Sequence, residues 1–284
     1  MPIQWHELSS EPPLSGLYGK AALHRKITGK VLPETGLRCR VNVDTERLVN
    51  YRKICLFGES SLLPPTYPHV MAFALQMKLL TEDGFPFPLL GLVHLHNRIR
   101  VLRPLGGLSS VRISVHVENL LPHDKGATFD MITQVDDGLG PLWEETSTLL
   151  CRGAQVPGEV PAQVLPAELP LVEARRWYAG NEAGRRYARV SGDYNPIHLS
   201  ATTARLFGFP QAIAHGMWLK AMTMAALREH WPMAGYEIAV QFHKPVRLPS
   251  EVVLLASSAK PSGQLRLEGH GELVHMTGSW APVT

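Results

Sequence analysis

An α+β fold built twice over is the architecture this sequence predicts, and three observations predict it. Two stretches, His69 to Leu80 and Met217 to Leu227, are apolar on nearly every side, as only buried helices are. Each is followed by a run of alternating segments of the kind that form antiparallel strands. The two halves can also be overlaid, which makes an internal duplication the economical account.

In chain order, Asp44 suits the N-cap of a helix whose apolar positions are Leu48, Tyr51, Ile54 and Cys55, with Gly58 as its stop. A loop dense in Ser and Pro, 59–68, leads to the first buried helix. Strands are expected over Leu92 to Arg103, Val111 to Leu120, Ala127 to Val135 and Leu142 to Cys151. Val111, Ile113, Val115 and Val117 share one face of the second, and Asp136-Asp137-Gly138 turns the third into the fourth. The chain divides into a first domain over 1–156, a proline-rich linker over 157–170 and a second domain over 171–284. In that second domain Asn181 is placed to cap a helix running through Tyr187 toward Ser191. Ser200 caps a short helix ending at Phe207, with Gly208 after it. Further strands are expected over Tyr236 to Leu248, Glu251 to Ser258, Gln264 to His270 and Leu273 to Trp280.

Composition excludes several classes of function. A net charge of +3 over 284 residues is far from the basic load of a nucleic-acid binder. No apolar run approaches the length of a membrane span. Cys39, Cys55 and Cys151 are odd in number and lack metal-ligand spacing, which fits free thiols in a reducing compartment. The first residues have neither the basic start nor the apolar core of a signal peptide, so the cytoplasm is the expected location. His94 and His96 fall on one strand face, with His116 nearby, but no third ligand accompanies them. No metal or cofactor is expected.

The stretch Tyr187 to Ala204 concentrates the chemistry. It sets Asp193 and His198 on either side of a turn made by Asn195 and Pro196. Proline fixes its own φ and pushes the preceding residue out of the helical region. A charged Asp and a neutral His sharing one water form an acid/base device suited to neutral pH. Asn195 orients a partner or fixes the turn. Gly216 begins the second buried helix, where N–H groups have no helical partner and the dipole is positive, so its N–H is the candidate oxyanion donor. His215 beside it is read as structural. Arg205, Lys244 and Arg247 are the candidate contacts for a phosphate-bearing ligand.

The same stretch resembles the signature of the MaoC-like dehydratases and (R)-specific enoyl-CoA hydratases. That signature is an aromatic, a small residue, Gly-Asp, any residue, Asn-Pro, an aliphatic, His, five residues, and Ala or Ser. Tyr187, Ser191, Gly192, Asp193, Asn195, Pro196, Ile197, His198 and Ala204 fill it. The resemblance implies two tandem hotdog units, each a long helix wrapped by an antiparallel sheet, the first of them degenerate. In the overlay the first half offers Glu59 at the acid position but Pro64 at the imidazole position, and Val70 where the second half has Gly216. One catalytic centre per chain is therefore expected. The implied activity is reversible hydration of trans-2-enoyl thioesters and dehydration of (3R)-3-hydroxyacyl thioesters in fatty-acid metabolism. The expected partner is the acyl thioester of coenzyme A or of acyl carrier protein, with a second copy of the chain in a homodimer as the further candidate. The alternatives are a hotdog acyl thioesterase and a non-catalytic acyl-thioester-binding subunit.

Overall fold

The computed structural model describes residues 2–161 and 169–283, so the middle of the proline-rich linker lies outside the described residues. The elements of the first half are β1 (Gln4–Leu8), α1 (Leu14–Leu23), β2 (Thr35–Asn42), α2 (Thr45–Cys55) and α3 (Tyr67–Leu80). They continue with β3 (Leu92–Val101), β4 (Ser110–His123), β5 (Gly126–Asp136) and β6 (Pro141–Arg152). The second half supplies β7 (Val172–Ala179), α4 (Ala183–Ser191), α5 (Ala201–Arg205) and α6 (Gly216–Ala226). It ends with β8 (Tyr236–Phe242), β9 (Ser250–Ala256), β10 (Gly263–Glu268) and β11 (Val274–Pro282).

Two compact units result, and they do not follow the sequence order. One comprises Met1–Val43, Met71–Asn97 and Leu108–Pro166; the other comprises Asp44–Val70, Arg98–Gly107 and Ala167–Thr284. The second unit thus includes α2, which comes from the first half of the chain.

In the first unit the strands run β1-β2-β4-β5-β6, with β1 parallel to β2 and the others antiparallel. Val111, Ile113, Val115 and Val117 are all buried, as the alternation requires. Met71, Ala72, Ala74, Leu75, Met77 and Leu79 of α3 are buried as well, which explains a helix without a polar face. One polar cluster interrupts this core. Glu145 accepts hydrogen bonds from Asn97 Nδ2 at 2.7 Å and Gln76 Nε2 at 3.3 Å, so its buried carboxylate has donors in place of water.

In the second unit the antiparallel order is β8-β11-β10-β9-β7. Every residue of α6 from Met217 to Ala225 is buried, including Lys220, whose Nζ donates to Ile238 O at 3.0 Å. The α2 helix starts as expected, with Asp44 accepting from Arg47 N at 2.9 Å. It stops earlier than Gly58: Leu56 takes the left-handed cap position at φ 60°. Tyr51 on its inner face lies edge-on to Tyr67 at 5.2 Å and beside Tyr187 at 6.1 Å. Two further boundaries shift. The α4 helix is preceded by Glu182 rather than Asn181 and has no side-chain cap bond, and α5 ends at Arg205 rather than Phe207. Ser200 caps α5 as expected, accepting from Thr203 N at 3.1 Å. Among the described residues, no helix is long and apolar enough to cross a membrane.

Candidate active site

The site begins where α4 ends. Gly192 takes a left-handed φ of 82°, and its N–H closes the last turn on Ala188 O at 2.8 Å. The chain then folds onto itself through a ladder of local bonds. Ser191 Oγ accepts from Asp193 N at 3.1 Å, Asp193 Oδ1 from Asn195 N at 3.1 Å, and Asn195 Oδ1 from Ile197 N at 3.4 Å. Asn195 holds the non-helical ψ of 125° that a residue before proline favours, and Pro196 opens a 3-10 turn, Pro196–His198. In this geometry Asn195 fixes the turn.

The surrounding backbone then sets His198. Its Nδ1 lies 2.8 Å from the carbonyl of Ile213, which can only accept, so Nδ1 carries the proton and Nε2 the lone pair. Ile213 is itself held, its N–H on Ile197 O at 3.1 Å and its backbone bridged to Arg247. Gly184 provides the room: a Cβ there would stand 2.0 Å from the carbonyl oxygen of His198. α4 can therefore pass this close to the 3-10 turn only with glycine at that position.

His215 is the member that sequence reasoning set aside as structural. Donor atoms of Asp193, His198 and His215 all lie within 4.8 Å of one another. The His215 ring stacks on His198 with centroids 3.7 Å apart and planes at 26°, and Tyr187 covers it at 4.9 Å. His215 Nε2 donates to the Asp193 backbone carbonyl at 3.0 Å and lies 3.7 Å from Asp193 Oδ2. One ring thus braces both members of the pair. The three groups are close enough to hold a cation, yet carbonyls fix protons on Nδ1 of His198 and Nε2 of His215, which removes those nitrogens as ligands.

The charges follow from these contacts. Burial alone would raise the Asp193 pKa, but His215, His198, the Asn195 N–H and His69 outweigh it and hold the carboxyl below its ordinary value. Burial lowers the pKa of His198 against the pull of Asp193 and the Ile213 carbonyl. Burial, with His198 adding to it, pushes His215 down to about 3. Near neutral pH the site therefore holds one carboxylate and two neutral imidazoles.

This has a consequence for stability. A histidine whose pKa is depressed in the folded protein binds its proton more readily when unfolded. Stability is then full above the ordinary value near pH 6.5 and falls as pH drops, by up to about 1.4 kcal/mol per pH unit for His215 alone. Asp193, also depressed, adds to the loss only nearer its own ordinary value of about 3.9. Replacing His215 with Gln is expected to flatten the decline in melting temperature between about pH 6.5 and 4, measured by calorimetry against the parent protein.

Arg47 is the second residue with a role not foreseen. Its Nε donates to Val190 O and its Nη2 to Ser191 O, both at 2.7 Å. A cation thus meets the unsatisfied carbonyls at the C-terminus of α4, two residues before Asp193.

The remaining predicted residues are more dispersed. Gly216 is the first residue of α6 and adjoins His215, so its N–H is one of the helix donors without an intrahelical partner. A Cβ at Gly216 would also come 3.0 Å from the Phe242 ring, so the glycine serves packing too. Arg205 is exposed at the end of α5, and Lys244 and Arg247 are exposed after β8. Glu59, at the acid position of the first repeat, is an exposed loop residue.

The chain matches known proteins along most of its length. Residues 155–268 match the family model described as a MaoC like domain. The chain is 33% identical over 228 residues to 3-hydroxyacyl-thioester dehydratase X of Mycobacterium tuberculosis, covering 79% of this chain and 80% of that protein. The crystal structure of HtdX from the same organism superposes with a TM-score of 0.77 at 29% identity, over 87% of this chain and all of that one. A MaoC-like dehydratase from Phytophthora capsici shares the fold, with a TM-score of 0.71 at 21% identity over 91% and 97% of the two chains. The helix-on-sheet units described above are thus hotdog units. With its signature turn intact and a relative of this closeness, the chain belongs to the MaoC-like dehydratase family.

Proposed function

We propose that this protein is a hydro-lyase that reversibly hydrates trans-2-enoyl thioesters and dehydrates (3R)-3-hydroxyacyl thioesters. The observation that carries the reading is the pairing of an ionised Asp193 with a His198 whose Nε2 is held as a free base. The relative named 3-hydroxyacyl-thioester dehydratase X supports it.

In this reading one water donates its two hydrogens to Asp193 and to His198 Nε2. Its oxygen attacks Cβ of the enoyl group, and negative charge moves through Cα to the thioester oxygen. The Gly216 N–H, at the positive end of α6, stabilises that charge. As it attacks, the water gives up one proton to the Asp193/His198 pair; collapse of the enolate takes that proton at Cα, so water adds across the double bond and no other group is consumed. His215 keeps the two partners in register and, being neutral, does not compete for the carboxylate charge.

The acyl carrier is coenzyme A or acyl carrier protein. A reducing compartment, the cytoplasm, fits three cysteines that are all free and buried. The test is crotonyl-CoA hydration, followed as loss of enoyl absorbance, with chiral analysis of the product. The (3R)-hydroxy thioester is expected. Release of free thiol in place of hydration, or a mainly S product, would overturn the reading.

A further inference from the structure

A cleft of about 600 Å³ opens in the second unit between α2 and α4. Asp44, Glu46, Arg47, Asn50, Lys53 and Ile54 line one side, and Arg186, Arg189 and Val190 the other. Helical spacing explains the lining: Glu46, Asn50 and Lys53 recur at four and three residues along α2, and Arg186 and Arg189 at three along α4. Arg47 is committed to the α4 carbonyls, and Asp44 caps α2. That leaves Lys53, Arg186 and Arg189, all exposed and none in an ion pair among the described residues, converging on one concave space.

Helix electrostatics does not account for this set. Lys53 and Arg189 lie in the last turns of their helices, where the dipole favours a cation. Arg186 lies in the first turn of α4, where the dipole opposes it, and the acid beside that turn is the N-cap residue Glu182. Arg47, Lys53, Arg186 and Arg189 outnumber the two carboxylates of the lining, Asp44 and Glu46, so the cleft keeps a net positive charge that favours an anion. The volume suits a small ligand rather than the broad, flat contact of a docked protein.

We propose that this cleft binds the phosphorylated nucleotide end of coenzyme A, which rests on the reading of the chain as a thioester hydro-lyase. Lys53, Arg186 and Arg189 meet the phosphates, and Asn50 and Ile54 offer an amide and an apolar wall to the adenosine. Val190, which lines the cleft, is three residues from Asp193, and the cleft and the site lie in one unit. Arg205, Lys244 and Arg247 lie on other elements and do not line it.

The test compares substrates with and without the nucleotide. In the full-length Arg186→Gln/Arg189→Gln variant, KM for crotonyl-CoA should rise about tenfold, the scale of two partly solvated charge–phosphate contacts. KM for crotonyl-pantetheine, which lacks those phosphates, should not change. Calorimetry with adenosine 3′,5′-bisphosphate should show binding to the parent protein that weakens with salt and is lost in the variant. Equal changes for both substrates, or none for either, would overturn the proposal. So would a KM rise confined to crotonyl-acyl carrier protein, or one produced at Arg205, Lys244 and Arg247 instead. If the parent protein turned over neither substrate yet bound the bisphosphate through Arg186 and Arg189, the hydro-lyase reading would fall and the cleft would stand.

Discussion

Changing Asp193 to Asn or His198 to Ala is expected to lower kcat by roughly 10²–10⁴-fold. The reason is that the two side chains serve one water. Asn at 193 keeps the shape and leaves Oδ1 able to accept from Asn195 N, so the turn survives while the charge is lost. Ala at 198 removes both the lone pair on Nε2 and the bond to Ile213 O. Once one partner is gone, the other has no correctly held water to act on. The double variant should therefore lose little more than either single one, whereas independent groups would multiply their losses. Single variants with near-normal kcat would show that the chemistry lies elsewhere.

The parts of this site that were legible in the sequence are those made by neighbours in the chain. Asn195-Pro196 announces its own turn, because proline constrains two adjacent residues whatever surrounds them. Ser200 announces the start of α5, since its side chain bonds a backbone N–H only three residues on. The run from Met217, apolar on nearly every side, announces a buried helix, α6. His215 could not be read the same way. It reaches Asp193 across 22 residues, and a histidine before a buried helix is just as compatible with plain packing. Arg47 is more remote still, 143 residues from the carbonyl it caps, and nothing local marks it. Two of the strands not foreseen, β1 and β7, share a different cause. Both are mostly exposed, and β7 shows no alternation from Val172 to Arg176, so the usual period-two pattern is absent. The N-terminus of α4 was misplaced by one residue because no side chain caps it.

Gly216→Pro is expected to lower kcat by roughly 10²–10³-fold beyond whatever Gly216→Ala costs. The pair of variants separates two duties of one residue. Alanine keeps the N–H and adds a Cβ that must find room 3.0 Å from the Phe242 ring. Its loss therefore reports packing, and shortening Phe242 to Leu in the same chain should restore part of it. Proline adds similar bulk but removes the N–H as well. The helix should tolerate the exchange, since the first helical position has no intrahelical bond to lose and proline is favoured there. The residue before it already has the required shape: His215 sits at φ −66° and ψ 133°, in the extended region a pre-proline residue prefers. What remains is the missing donor at the positive end of α6, which acts on charge present only in the transition state. The deficit should fall on kcat with KM nearly unchanged, measured with crotonyl-CoA. If the two variants lose the same activity, the N–H of Gly216 has no part in stabilising the thioester oxygen, and the glycine serves packing against Phe242 alone.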